Sequence, residues 1–141
     1  MTNTTSLIAA CFALVLLVAA VGLCLYLRRV AEMRRKRVHP QAVALSAQMA
    51  AVAEDTRASD NFRNLFEIPV LFYALAGVAL AVGHTPDWLV LGAWGFVALR
   101  YLHSFIQCTY NRVLHRLPAF MAGFVLLLAL WVAFFLSLPK P

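Results

Sequence analysis

The chain has 141 residues, 63% of them apolar and 13% charged, with a mean hydropathy of +0.80 and a formal net charge of +6. Soluble domains carry about 25% charged and about 45–50% apolar residues, and disordered chains combine low hydrophobicity with high net charge, so both classes are excluded. What remains is an all-α integral membrane protein, with room for at most four or five spans at about 20 residues each.

The first apolar run, Ser6 to Leu27, is 22 residues long and carries no charge. It lacks the basic start, short core and small-residue cleavage site of a signal peptide, so it reads as a retained transmembrane helix. A polar stretch follows from Arg28 to about Asn61, with Arg34-Arg35-Lys36-Arg37 and then His39-Pro40. Pro40 ends any helix continuing from the first span, and Gln41 to Ala58 is Ala-rich and expected to be partly helical. The basic run itself reads as a solvated loop facing lipid headgroups. The second span covers about 65–83, and Gly83-His84-Thr85-Pro86-Asp87 connects it tightly to a third at 88–110. A short link with Asn111, Arg112, His115 and Arg116 leads to a fourth span at 118–138, with Pro118 expected in its first turn. The tryptophans read as bilayer-facing or interfacial aromatics.

Eight of the twelve Lys/Arg residues lie between Arg28 and Arg63. Basic first and third loops, with a second loop that holds no Lys or Arg, set the expected topology: both basic loops cytoplasmic, both termini on the other side. The positive charge is therefore topology and not a nucleic-acid signal, since no aromatic-basic interleaving accompanies it. Cys11, Cys24 and Cys108 form no CxxC pair and read as small buried hydrophobes, and no His/Asp/Glu cluster has metal-ligand spacing, so no metal is expected.

Polar groups inside hydrocarbon cost several kcal/mol unless satisfied, so the residues that break the apolar runs are the informative ones. Asp60, Asn64 and Glu67 step by four and three, which predicts one helical face, with Pro69 just beyond. Arg100, His103, Ser104, Gln107 and Asn111 form a second stripe on the third span. At about 1.5 Å per residue, Arg100 lies about 18 Å and Glu67 about 24 Å from the outer ends of their helices. The two stripes could satisfy each other through a structural Glu67–Arg100 pair. The alternative is a seat for a small anion, because Arg28 or Arg29, Arg100, Arg112 and Arg116 converge at one depth and outnumber what one pair requires.

Asn61-Phe62-Arg63-Asn64-Leu65-Phe66-Glu67-Ile68-Pro69 resembles the second-helix motif of the MAPEG family, the membrane-associated proteins in eicosanoid and glutathione metabolism. Arg100-Tyr101-Leu102-His103, with Arg116 sixteen residues after Arg100, resembles the family's third helix and following loop, and the order of elements fits along nearly the whole chain. The resemblance implies a four-helix bundle assembled as a homotrimer, with glutathione bound between subunits near the cytoplasmic face. It places Asn64, Glu67, Arg100 and His103 on glutathione-contacting positions, with Arg28 or Arg29 near the arginine that ends the first helix. Arg116 matches the arginine thought to stabilise the glutathione thiolate. The implied activity is a glutathione-dependent transferase or peroxidase acting on hydrophobic electrophiles. The sequence departs from the pattern twice. Asp60 stands where catalytic relatives carry Arg, and Gln107 stands where a Tyr is expected, with Tyr110 one turn later. The alternative is a non-catalytic MAPEG-like protein that binds a lipid or a protein partner. Small multidrug exporters fit less well, since their essential carboxylate lies in a first span that here has no charge. Compact loops, the retained first span and the absence of a eukaryotic retrieval signal lean toward a bacterial inner membrane with both termini periplasmic.

Overall fold

A computed structural model describes residues 2–138. In chain order the helices are α1 (Asn3–Lys36), α2 (Ser46–Val52), α3 (Arg57–Asn64), α4 (Ile68–Ala81), α5 (Asp87–Cys108) and α6 (Val113–Ser137), with a 3-10 turn at Pro40–Val43. With α3 and α4 taken as one broken helix (Arg57–Ala81), four helices are long and apolar enough to cross a membrane. Helix α5 sits centrally, packing on α1, α3 and α6.

The core follows helical periodicity. Leu7, Ala10, Leu14, Leu17 and Val21 of α1 are buried at steps of three and four, and they meet Phe72, Leu75 and Ala79 of α4 and Leu89, Ala93 and Phe96 of α5. Phe72 and Phe96 stack with centroids 5.0 Å apart. The outward faces are equally apolar, as Leu91, Leu136 and Phe135 show, which is the pattern lipid allows and water does not. Two tryptophans do more than face the bilayer. Trp94 Nε1 donates to Ser6 Oγ at 3.0 Å and Trp131 Nε1 to the Leu71 carbonyl at 3.1 Å. Tyr101 Oη donates to the Ala13 carbonyl at 2.7 Å. Each ties two helices together where no water satisfies a polar atom.

At one end of the bundle, Asn3 Nδ2 donates to the Thr85 carbonyl at 2.8 Å and to Asp87 Oδ1 at 2.6 Å, stapling the start of α1 to the α4–α5 turn. That turn uses Gly83 at φ +68°, a left-handed conformation that only glycine adopts freely.

At the basic end, α1 runs nine residues past Leu27 before Arg37 ends it in the left-handed region. Its last turn carries Arg34, Arg35 and Lys36, which suits the negative end of the helix dipole. The segment between α1 and α3 folds back along this extension, held by charge. Lys36 Nζ pairs with Glu54 at 3.0 Å and Glu32 at 3.3 Å, Arg35 also pairs with Glu54, and the Glu54 amide donates to Glu32 Oε1 at 2.7 Å. Arg34 and Arg37 stay exposed, whereas Arg35 and Lys36 clamp the returning chain instead of forming a purely solvated loop.

Two helix boundaries differ from the sequence reading. The second span breaks at 65–67, because Pro69 has no amide proton for the Leu65 carbonyl and its ring would collide with it. The chain makes tight turns instead, Phe66 N to Arg63 O at 2.9 Å and Glu67 N to Asn64 O at 3.4 Å, and Glu67 takes φ −96°, ψ −85°. The last helix begins at Val113, so Pro118 lies inside it and not in its first turn. The carbonyl that Pro118 leaves unbonded belongs to Leu114, which is highly exposed, so the loss falls at the helix end.

Candidate functional site

The polar stripe on α5 is buried throughout: Arg100 at 1% exposure, His103 at 3%, Ser104 and Gln107 at 2%. Steps of three and four turn all four side chains toward α3 and α6. Asn61 of α3, fully buried, accepts from Ser104 Oγ at 3.2 Å and donates to Cys108 Sγ at 3.3 Å. Asn64, one turn on, meets Gln107 at 3.1 Å, and Gln107 meets His103 Nε2 at 2.9 Å. His103 Nδ1 lies 3.4 Å from the Arg116 carbonyl.

The bonds converge on one atom: Asn64 Nδ2 donates to Gln107 Oε1, and the same oxygen lies 2.9 Å from His103 Nε2, which donates to it in the Nε2–H tautomer. The network consequently holds both Asn64 and His103 in fixed rotamers at the wall of a cavity.

That cavity has a volume of about 210 Å³ and is lined by Asn64, His103, Val113, Arg116, Leu117 and Phe120. Three residues singled out from the sequence on three helices therefore share one space. Arg116 is half-buried, and its Nη1 donates to Asn111 Oδ1 at 2.7 Å. Asn111 sits at φ +49°, between α5 and α6, a conformation asparagine tolerates better than most residues. It is a positioning residue that the stripe pattern included without revealing its role.

Arg100 lies behind Phe120. Its guanidinium is sandwiched between Phe96 and Phe120, with Cζ 5.2 and 5.1 Å from the ring centroids. Nη2 donates to the Phe120 carbonyl at 3.3 Å, but Nε is buried with no partner among the described residues. Room for the guanidinium comes from Gly123, where a Cβ would stand 2.9 Å from Nη2. Cation–π contacts partly offset desolvation, yet a buried cation without a carboxylate remains costly.

The Glu67–Arg100 pair considered from the sequence does not form. The helix break turns Glu67 to the outer surface, where it is exposed and has no ion-pair or hydrogen-bond partner among the described residues. The single face predicted for Asp60, Asn64 and Glu67 is not kept: Asn64 points inward, Glu67 is turned out by the break, and Asp60, one turn before Asn64 on the unbroken α3, is exposed near the start of that helix.

The remaining predicted residues lie elsewhere. Arg28 donates to Asp55 Oδ2 at 2.9 Å and to the Cys108 carbonyl at 2.6 Å, so it closes the end of α5. Asp55 also receives Arg57 Nε at 2.8 Å and Nη2 at 2.8 Å. The Arg57 guanidinium holds the Asp55 carboxyl down to about 2, against the opposing effect of partial burial. Arg35 and Lys36 likewise hold the Glu54 carboxyl below its ordinary value. Arg29 opens onto a different cleft at the end of α1. Tyr110 is exposed, its hydroxyl 3.3 Å from His115 Nδ1. No group of three or more His, Cys, Asp or Glu residues suited to a metal occurs among the described residues.

A model of the MAPEG family matches residues 7–136, and the chain belongs to that family. No curated protein and no solved structure matches it. Family membership and the four long apolar helices make it an integral, multi-pass membrane protein.

Proposed function

From membership of the MAPEG family, we propose that this protein binds glutathione at the Asn64–His103–Arg116 cavity and uses its thiolate to conjugate glutathione to hydrophobic electrophiles or to reduce hydrophobic peroxides. The observation that carries this reading is the convergence of Asn64, His103 and Arg116 on one cavity, where Arg116 offers a cation to an anionic ligand. Arg100, buried with an unpartnered N–H, stands behind Phe120 and outside the cavity lining, so it meets a glutathione carboxylate only when that ring swings aside. Arg116 also suits the sulfur. A thiol of pKa about 8.5 is mostly protonated at neutral pH, and an adjacent guanidinium in low dielectric raises the thiolate fraction. The thiolate then attacks an electrophilic carbon, forming the S–C bond as the leaving group departs. With a hydroperoxide it attacks the outer oxygen, the S–O bond forms as the O–O bond breaks, and the departing alkoxide takes a proton to leave as alcohol; a second glutathione then reduces the sulfenic acid, giving glutathione disulfide and water.

A volume of about 210 Å³ is smaller than the ~300–1,000 Å³ usual for small-molecule sites. We infer that a neighbouring copy completes it within a homotrimer. Exposed Glu67, a carboxylate at the cytoplasmic end of the second apolar span, supports this, since an adjoining subunit with its bound glutathione amine offers it a partner that lipid does not. Residence in a bacterial inner membrane with both termini periplasmic is part of the same proposal and is tested by reporter fusions at either end.

The second reading is a non-catalytic member that holds a lipid or protein partner. It draws on Gln107, whose amide is consumed by Asn64 and His103 and presents no phenol to a ligand. Titrating glutathione into detergent-purified protein separates the two. Binding accompanied by thiolate ultraviolet absorbance, lost in Arg116→Ala, supports the enzyme. Binding without thiolate supports the second reading, and no binding at all overturns the proposed function.

A further inference from the structure

The two rings that sandwich Arg100 are unequal. Phe96 is fully buried and stacks on Phe72 with centroids 5.0 Å apart, so core packing holds it in place. Phe120 is half-buried and belongs to the lining of the Asn64–His103–Arg116 cavity. Of Phe96, Phe120 and Gly123, the residues that stand against the guanidinium, only Phe120 also walls that cavity. Its ring lies 5.1 Å from Arg100 Cζ and 5.5 Å from the His103 ring, and so covers the cation from the cavity side.

The covered cation is poorly answered. Nη2 has one long bond to the Phe120 carbonyl at 3.3 Å, and Nε has no partner among the described residues. A buried N–H without an acceptor is costly, and the ring faces return only part of the loss. Side by side, these two nitrogens form the fork that receives a carboxylate. The bond from Nη2 goes to the Phe120 backbone, so the ring can turn about its side-chain bonds without breaking it.

Spacing on α6 supplies the rest. Arg116 precedes Phe120 by one helical turn, so both side chains lie on one face, about 6 Å apart along the axis. A ligand with one anionic group on Arg116 therefore brings its next one to the Phe120 ring. We propose that Phe120 is a gate that covers Arg100 in the free protein and swings aside to let one ligand carboxylate dock on Nε and Nη2. The proposal rests on the cavity being a glutathione site and names the residue that decides when its second cation is reached. Phe120 is a positioning residue, because it acts through Arg100.

Calorimetric titration of glutathione into the full chain in detergent tests the sign. A ring that must move first lowers apparent affinity by the fraction of time it stands open, so trimming it tightens binding. A ring that only walls the cavity does the reverse, because trimming it removes apolar contact. Phe120→Leu and Phe120→Ala are expected to bind glutathione about threefold or more tighter than wild type. In an Arg100→Met background the same changes are expected to bring no gain, since no cation is left to uncover. Nitrogen NMR of the wild-type chain gives a second readout, which needs no Phe120 variant to fold. The arginine Nε–H resonance missing in Arg100→Met is expected to shift when glutathione is added. Unchanged or weaker binding in both Phe120 variants, an equal gain with Arg100→Met, or an unmoved Arg100 Nε–H resonance overturns the gate and leaves the proposed function standing. Absence of glutathione binding in the wild type overturns both.

Discussion

Two arginines of one chain sit in opposite circumstances. Arg28 is about one-third exposed and has a carboxylate, a carbonyl and water within reach. Arg100 is almost fully buried between two phenyl rings, with one long hydrogen bond and one N–H left over. The basic end of the bundle is thus a set of satisfied charges whose energetics are screened by solvent. The α5–α6 region holds charge that the fold leaves incompletely answered. Paired, exposed charges explain themselves structurally, whereas an unanswered buried one asks what completes it.

Replacing Arg100 by Met is the strongest way to break this contrast. Substituting a buried charge by an apolar side chain of similar volume is often neutral or stabilising by about 1–4 kcal/mol. We therefore expect Arg100→Met to unfold at an unchanged or higher temperature in detergent while glutathione affinity falls about tenfold or more, read by calorimetry. A marked loss of stability with affinity intact would show that the guanidinium is structural only.

Next in size is Gln107→Leu. It strands polar atoms of Asn64 and His103, at about 1–3 kcal/mol, measured as a lower chemical or thermal unfolding midpoint. Asn64→Leu combined with Gln107→Leu should lose less than the sum, because the two share one bond.

Asp55→Asn sharpens the other side of the comparison. Its pairs with Arg28 and Arg57 are partly solvated, so the cost near neutral pH is about 0.5–1 kcal/mol. The sign with pH is fixed by the lowered carboxyl. Stability from Asp55 is fully present above its unfolded value of about 3.9 and is lost as pH falls toward about 2. Between those limits the wild type should lose more stability than Asp55→Asn, so their melting curves converge on acidification. The smallest effect is expected for Arg35→Gln, whose exposed pairing with Glu54 shifts the melting temperature little and not at all in high salt.

The α5 stripe was legible because a straight, unbroken helix preserves steps of three and four, so Arg100, His103, Ser104 and Gln107 keep one face. Asp60, Asn64 and Glu67 obey the same arithmetic, but Pro69 interrupts the hydrogen-bond ladder between Asn64 and Glu67 and rotates Glu67 outward. The proline was visible; the direction of the turn it forces depends on packing against α5. Arg28 and Asp55 are 27 residues apart and meet only because the chain folds back along α1, which no local pattern encodes. Asn111 belonged to the stripe by spacing, yet its use depends on a left-handed backbone at a helix junction.

Gly123 carries a lesson for engineering. Exchanging a mid-helix glycine for alanine is a routine way to stiffen a helix, with a gain of about 1 kcal/mol from backbone propensity. Here the added methyl would stand 2.9 Å from Arg100 Nη2, and the guanidinium, being the end of a flexible chain, would yield first. A thermostabilised variant chosen on melting temperature alone could therefore carry its arginine displaced from between the two rings, and a screen for robust protein would select against the site it was meant to preserve.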